Sequence, residues 1–230
     1  MAIYQLGLHG KRNWISKAPT RYTQVWCELK VPDVKWWTGA GVWIGAWTNK
    51  NKFMQTGIFP NPTNNSLMGG TRTGTTVFWY ATDDVGYYIQ TINEVEIEQG
   101  DNVILNLQKN WESTDWLLGV MNVSRMNRQQ PNNSWFTTYR DAGDNFYITT
   151  LQLIFEGYSG IYNTQFVQNG EVSMKNIRLK DTDGVMRSIP AVREFNAEGG
   201  RYFKTKVFEA VPDWLSMEHD EDSITFKGEQ

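Results

Sequence analysis

The chain is poor in the residues that run metal, disulfide or histidine chemistry: 230 residues hold one cysteine, Cys27, and two histidines, His9 and His219. A single cysteine excludes an internal disulfide and a cysteine-based zinc site. The two histidines stand far apart in unrelated contexts, and a Ser-His-Asp triad would have to use one of them. Gly157-Tyr158-Ser159-Gly160 is no nucleophile elbow, because Ile161 occupies the place of the last glycine. No His-Glu-x-x-His, P-loop or dinucleotide fingerprint occurs. Lysine and arginine form no block, and the net charge is −3, which argues against a nucleic-acid partner. No apolar run approaches the roughly 20 residues that cross a bilayer, so no membrane insertion is expected. Met1 to Gly10 shows no basic region followed by an apolar one, so no signal peptide is visible. Cys27, in a strand-like run, reads as a small apolar filler.

What the chain does have is aromatic surface. Eleven Trp, ten Tyr and eleven Phe exceed the ordinary needs of one core, which points to rings lining a groove. Strand-like runs rich in β-branched and aromatic residues follow one another: Tyr22–Val31, Gly41–Trp47, Lys52–Phe59, Thr75–Thr82, Tyr87–Glu98, Asn102–Lys109, Trp116–Ser124, Asn145–Glu156, Gly170–Leu179, Tyr202–Glu209 and Ser223–Lys227. Turn signals such as Gln99-Gly100-Asp101 and Asp181–Gly184 divide them. Many strands with regular turns predict an all-β sandwich or barrel. No linker interrupts residues 1–230, so one domain is expected. A short helix is expected at Val211–Met217 or Pro190–Phe195. Asn61–Asn65 and Gln129–Asn133 read as exposed loops, and Glu218–Asp222 as a solvated acidic run rather than a metal site.

Strand side chains alternate between faces, so positions two apart share one. Leu151, Leu153 and Phe155 form a core-like set, which leaves Gln152, Ile154 and Glu156 opposite. Val42, Ile44 and Ala46 leave Trp43 and Trp47 opposite. Met54, Thr56 and Ile58 lie opposite Phe53, Gln55 and Gly57. Between Thr75 and Thr82, Phe78 and Tyr80 are expected to face in and Trp79 out. One consistent phase therefore sets Trp43, Gln55, Trp79 and Glu156 on non-core faces. Such a face suits an extended peptide or a sugar chain equally well.

Seven segments in order resemble the glutamic peptidase (eqolisin) family. Asn13-Trp14, then Val25-Trp26 through Val31-Pro32, resembles the family's opening pattern. Trp43-Ile44-Gly45-Ala46 is similar to its Trp-Val-Gly-Ile strand, Met54-Gln55-Thr56-Gly57 to Leu-Gln-Thr-Gly, and Phe78-Trp79-Tyr80 to Ala-Trp-Tyr. Val95 through Asp101 resembles its Ile-x-Ile-x-x-Gly-Asp turn. Gln152-Leu153-Ile154-Phe155-Glu156 resembles Glu-Phe-Ile-Ile-Glu, and residues 169–174 a later Phe-x-x-Val-x-Phe strand. The resemblance spans residues 13 to about 178.

The resemblance implies a two-sheet antiparallel jelly roll of concanavalin-like type and an endopeptidase acting on polypeptide as a monomer. It implies no metal or other cofactor, and an extracellular habit. The family's catalytic Gln and Glu, carried over by position, fall on Gln55 and Glu156. Glu156 would be the general base and then the general acid, and Gln55 the donor to the oxyanion. Trp43, Trp47, Gly57, Trp79 and Tyr80 would line the substrate cleft. Two family acids are missing, with Ala81 and Trp47 in their places. Their loss implies altered specificity, a shifted pH optimum, or a scaffold that binds without cutting. The rival expectation is a non-catalytic, lectin-like module binding carbohydrate or peptide. A two-carboxylate glycosidase is disfavoured, since Asp83 and Asp84 are too loosely placed to partner Glu156.

Overall fold

The computed structural model describes residues 2–11, 22–31, 40–49, 52–61, 74–82, 87–92, 95–110, 115–139, 147–158, 171–188, 201–206, 215–219 and 222–228. These hold strands β1 (Ala2–Lys11), β2 (Tyr22–Lys30), β3 (Ala40–Thr48), β4 (Phe53–Asn61), β5 (Gly74–Thr82), β6 (Tyr87–Ile92), β7 (Asn102–Lys109), β8 (Trp116–Asn122) and β9 (Ser134–Tyr139). They continue with β10 (Ile148–Tyr158), β11 (Glu171–Asp181), β12 (Met186–Ser188), β13 (Arg201–Lys206), β14 (Leu215–His219) and β15 (Ile224–Gly228), with one short helix, α1 (Val123–Asn127), between β8 and β9.

Every pairing among the described strands is antiparallel, and they sort into two layers. One sheet runs β13-β1-β10-β3-β4-β5-β6. The other runs β14-β15-β11-β2-β7-β8-β9, with β12 folded back on β11. Among the described residues a single bridge, Ile148 to Tyr22, links them. The result is an antiparallel β-sandwich. Between the layers lie Val42, Ile44 and Ala46 of β3, Met54 and Ile58 of β4, and Leu151, Leu153 and Phe155 of β10. Facing them are the inward residues of β2, β7, β8, β11 and β15. Phe155 meets Phe226 of the opposite sheet with ring centroids 5.5 Å apart. Cys27 lies in this core, and burial pushes its thiol far above the ordinary range, so it is inert as a nucleophile.

Alternation therefore reads the inward faces of β3, β4 and β10 correctly, and most strand positions agree. The differences have local causes. β1 was not expected, because Gly7 and Gly10 weaken its strand signal. Packing explains Gly7: a Cβ there would stand 2.1 Å from the Leu153 carbonyl oxygen, so only glycine lets β1 lie against β10. The run Tyr87–Glu98 was expected as one strand. β6 ends at Ile92, and Val95 and Ile97 drop into the core from irregular backbone. The run Trp116–Ser124 ends as a strand at Asn122, whose side-chain oxygen accepts from the Arg125 N–H and caps α1. β9 and β14 were also missed. The expected helix at Val211–Met217 is replaced, in its described part, by β14, where pairing with β15 wins over local propensity. Residues 190–195, 211–214 and 62–65 lie outside the described residues. Within Gln129–Asn133, Gln129, Pro131 and Asn132 are exposed as expected. The acidic run is not simply solvated: Glu218 pairs with Lys227, and Asp222 with Arg178.

The expected turn at Gln99-Gly100-Asp101 is present, with Gly100 at φ +81°, the left-handed region glycine tolerates. Asp101 locks it. Its buried carboxylate accepts from the Glu98 N–H at 2.9 Å, from Asn122 at 2.7 Å and from Arg128 at 2.9 Å. Burial alone would raise its pKa, but these donors and the Arg128 charge outweigh burial and hold it below the usual carboxylate value. A depressed folded pKa contributes stability above the unfolded value, about 3.9 for Asp, and loses it as pH falls through the folded value. The urea midpoint of the wild type is thus expected to fall below about pH 4. In Asp101→Asn the midpoint is lower at neutral pH and falls less steeply across that window. Parallel slopes for the two proteins would show that Asp101 is not part of the acid response.

Candidate functional site

The site is built on the outer face of the sheet that contains β3, β4 and β10. Gly41, Trp43, Gly45 and Trp47 share the outward parity of β3, as Phe53, Gln55 and Gly57 do on β4 and Gln152 and Ile154 on β10. This face has its own apolar cluster. Trp43, Phe53 and Ile154 are buried, yet they lie apart from the core between the sheets. Trp43 meets Phe53 edge-on, at 6.1 Å between centroids. Trp47 leans on Phe53 at 5.0 Å and remains 36% exposed.

Gly45 lies beneath this cluster. A Cβ there would meet Trp43 at 2.8 Å and Phe53 at 2.9 Å, so both rings rest directly on its Cα. The register then decides which polar residues flank it. Gly45 pairs with Gln55 on β4 and with Gln152 on β10. Two half-buried carboxamides thus stand in one row on either side of a strand position without a side chain. Their Cα atoms are two strand spacings apart, roughly 10 Å. Beyond them the row continues to Tyr80 on β5 and to His9 and Arg201 on β1 and β13.

Glu156 is not in that row. It pairs with Gly41, four residues from Gly45, which is an offset of roughly 13 Å along the sheet from the row of Gln55. The two residues that sequence reasoning joined are therefore set apart by the register, and Gln55 and Gln152 are brought together. Gln152 shares its face with Glu156 in the sequence pattern, but only strand order reveals that it stands opposite Gln55.

The side chains of Trp79 and Tyr80 lie outside the described residues, and only their backbone pairing is given. Trp79 was expected outward and Tyr80 inward. Trp79 pairs with Thr56, a buried residue of inward parity, and Tyr80 pairs with Gln55 of the outer row. Gly57 stands beside Trp43 in the next row, with Ile154 on the far side. Ala81 pairs with Met54 of the inward set. Among the described residues, no group of three or more His, Cys, Asp and Glu is placed to hold a metal ion.

No protein-family model matches the chain, and no curated protein sequence matches it. Among solved structures it is similar to scytalido-glutamic peptidase, crystallised with a transition-state analogue inhibitor. The similarity covers 99% of this chain and 98% of that one, with a TM-score of 0.56 and 11% identity. At that identity the likeness defines the fold: this chain adopts the β-sandwich of a glutamic peptidase.

Proposed function

We propose that this chain binds extended polypeptide across the outer face of the β13-to-β6 sheet, without hydrolysing it. The observation that carries the reading is the row Gln152–Gly45–Gln55, with two carboxamides and no carboxylate at its centre. General-base catalysis requires a group that can take a proton from water, and a carboxamide cannot. It can do something else. Each glutamine offers an acceptor oxygen and two N–H donors, the complement of a peptide group. Half-exposed Trp47, supported by Phe53, adds an apolar contact beside them. Trp43 and Gly57 shape the next row.

A second reading is favoured by the sequence match of residues 152–156 to the family's strand. It keeps a glutamic endopeptidase in which Glu156 is general base and Gln55 stabilises the tetrahedral intermediate. That reading needs both groups within about 3 Å of one water, against the four-residue offset along β3.

One experiment separates the two. A fluorescently labelled, unfolded polypeptide is titrated with wild type and Gln55→Ala, and incubated with wild type and Glu156→Gln from pH 2 to 7. Saturable binding, weakened about tenfold in Gln55→Ala, is expected with no cleavage. Cleavage that disappears in Glu156→Gln would restore the peptidase. Retention of oligosaccharides with no affinity for polypeptide would assign the face to sugars instead.

A further inference from the structure

The opposite sheet carries a cleft of about 450 Å³ on its own outer face, far from the row described above. Its floor is β2, and its walls are β11 and the turn at Gln99-Gly100. The volume lies within the range of small-molecule sites, roughly 300–1,000 Å³. Among the described residues four charged side chains line it, Glu28 and Glu171 against Lys30 and Lys175. No ion pair joins Lys30, Lys175 or Glu171 to another described residue. Glu28 and Lys175 are even directly opposed in the β2–β11 register. Facing charges of opposite sign on adjacent strands normally pair. Here both signs are presented to the cleft instead.

One of these groups is held in place by an irregularity in the sheet. The register of β11 shifts between Lys175 and Arg178. Within that bulge Asn176 takes φ +50°, a left-handed conformation that asparagine adopts more readily than most residues other than glycine. Its side-chain N–H donates to the Glu28 carboxylate at 2.9 Å. Bulges are a means of re-aiming side chains.

The balance of charge defines the ligand. Two carboxylates repel an anion such as phosphate, and two ammonium groups repel a cation. Among the described residues its lining holds no aromatic ring on which a sugar would stack. A molecule carrying both charges fits. Glu28 and Lys30 lie two residues apart on one strand, roughly 7 Å. Two extended residues of a peptide span roughly the same distance. We propose that this cleft binds a small zwitterion of dipeptide size, its ammonium group on Glu28 and its carboxylate on Lys30. Lys175 and Glu171 balance each other on the walls among the described residues. This site goes beyond the polypeptide-binding face and does not depend on it.

The test uses glycylglycine, N-acetylglycylglycine and glycylglycinamide, titrated into the full chain and followed by amide chemical shifts. Glycylglycine is expected to cause saturable shifts at β2 and β11, with each blocked form binding at least about tenfold more weakly. Glu28→Gln and Lys30→Met should each cost about tenfold, and Gln55→Ala nothing. Lys30 is exposed, so Lys30→Met keeps the test sound if loss of the Glu28 charge disturbs folding. Absence of saturable shifts from the folded chain, or equal binding of the blocked peptides, overturns the assignment.

Discussion

Replacing Gln152 with glutamate is expected to turn a binding site into a hydrolytic one. The substitution is isosteric, lies at a half-buried position and places a carboxylate opposite Gln55 across Gly45. A positioned general base contributes roughly 10² to 10⁴ in rate, and an oxyanion donor such as Gln55 roughly 10² to 10³. Cleavage of an unfolded protein by Gln152→Glu should therefore exceed that of wild type by at least about a hundredfold. Fragments resolved by mass spectrometry between pH 2 and 7 provide the measurement. The gain should vanish in the double variant Gln152→Glu/Gln55→Ala and survive in Gln152→Glu/Glu156→Gln. A folded Gln152→Glu protein with no more activity than wild type would mean that the row over Gly45 is not the reacting centre.

The second large effect concerns the sandwich itself. Phe155→Ala removes a fully buried ring that meets Phe226 of the other sheet. Truncations of this kind cost about 3–5 kcal/mol, transfer and cavity together. Urea denaturation should show a loss of that size, with little change in slope. The neighbouring residue offers an internal comparison. Ile154 is equally buried, but outside the core between the sheets and level with Trp43 in the β3–β10 register. Ile154→Ala should therefore weaken polypeptide binding as well as stability, whereas Phe155→Ala should act on stability alone. A loss under about 1 kcal/mol in Phe155→Ala would contradict close packing of the two sheets at that point.

The site was legible in part. Alternation alone set Trp43, Trp47 and Gln55 on the outer face, because a strand repeats every two residues and its neighbours in sequence carry that information. It also listed Gln152 and Glu156 together on one face of one strand. What it could not supply was the level of each residue against β3. The resemblance supplied a level by analogy, choosing the second of two similar positions in the strand from 152 to 156. In the register it is the first, Gln152, that stands level with Gln55.

β1 shows the converse case. Its glycines argue against a strand when read locally, and Gly7 is required because the backbone of β10 lies against it. Asn122 shows a third. Within a β-rich run it looks like one more strand residue, yet its side chain caps a helix and also donates to Asp101.

The sequence by itself determined the class of fold, the inward faces of its strands and the chemistry it lacks. Those follow from composition and from a period of two, both local properties of the chain. The tertiary structure decided which residues meet. Register is fixed by hydrogen bonds between segments far apart in sequence, and a shift of four residues leaves every side chain on its own face. Alternation is blind to such a shift, and only the register shows that Gln152, not Glu156, stands level with Gln55.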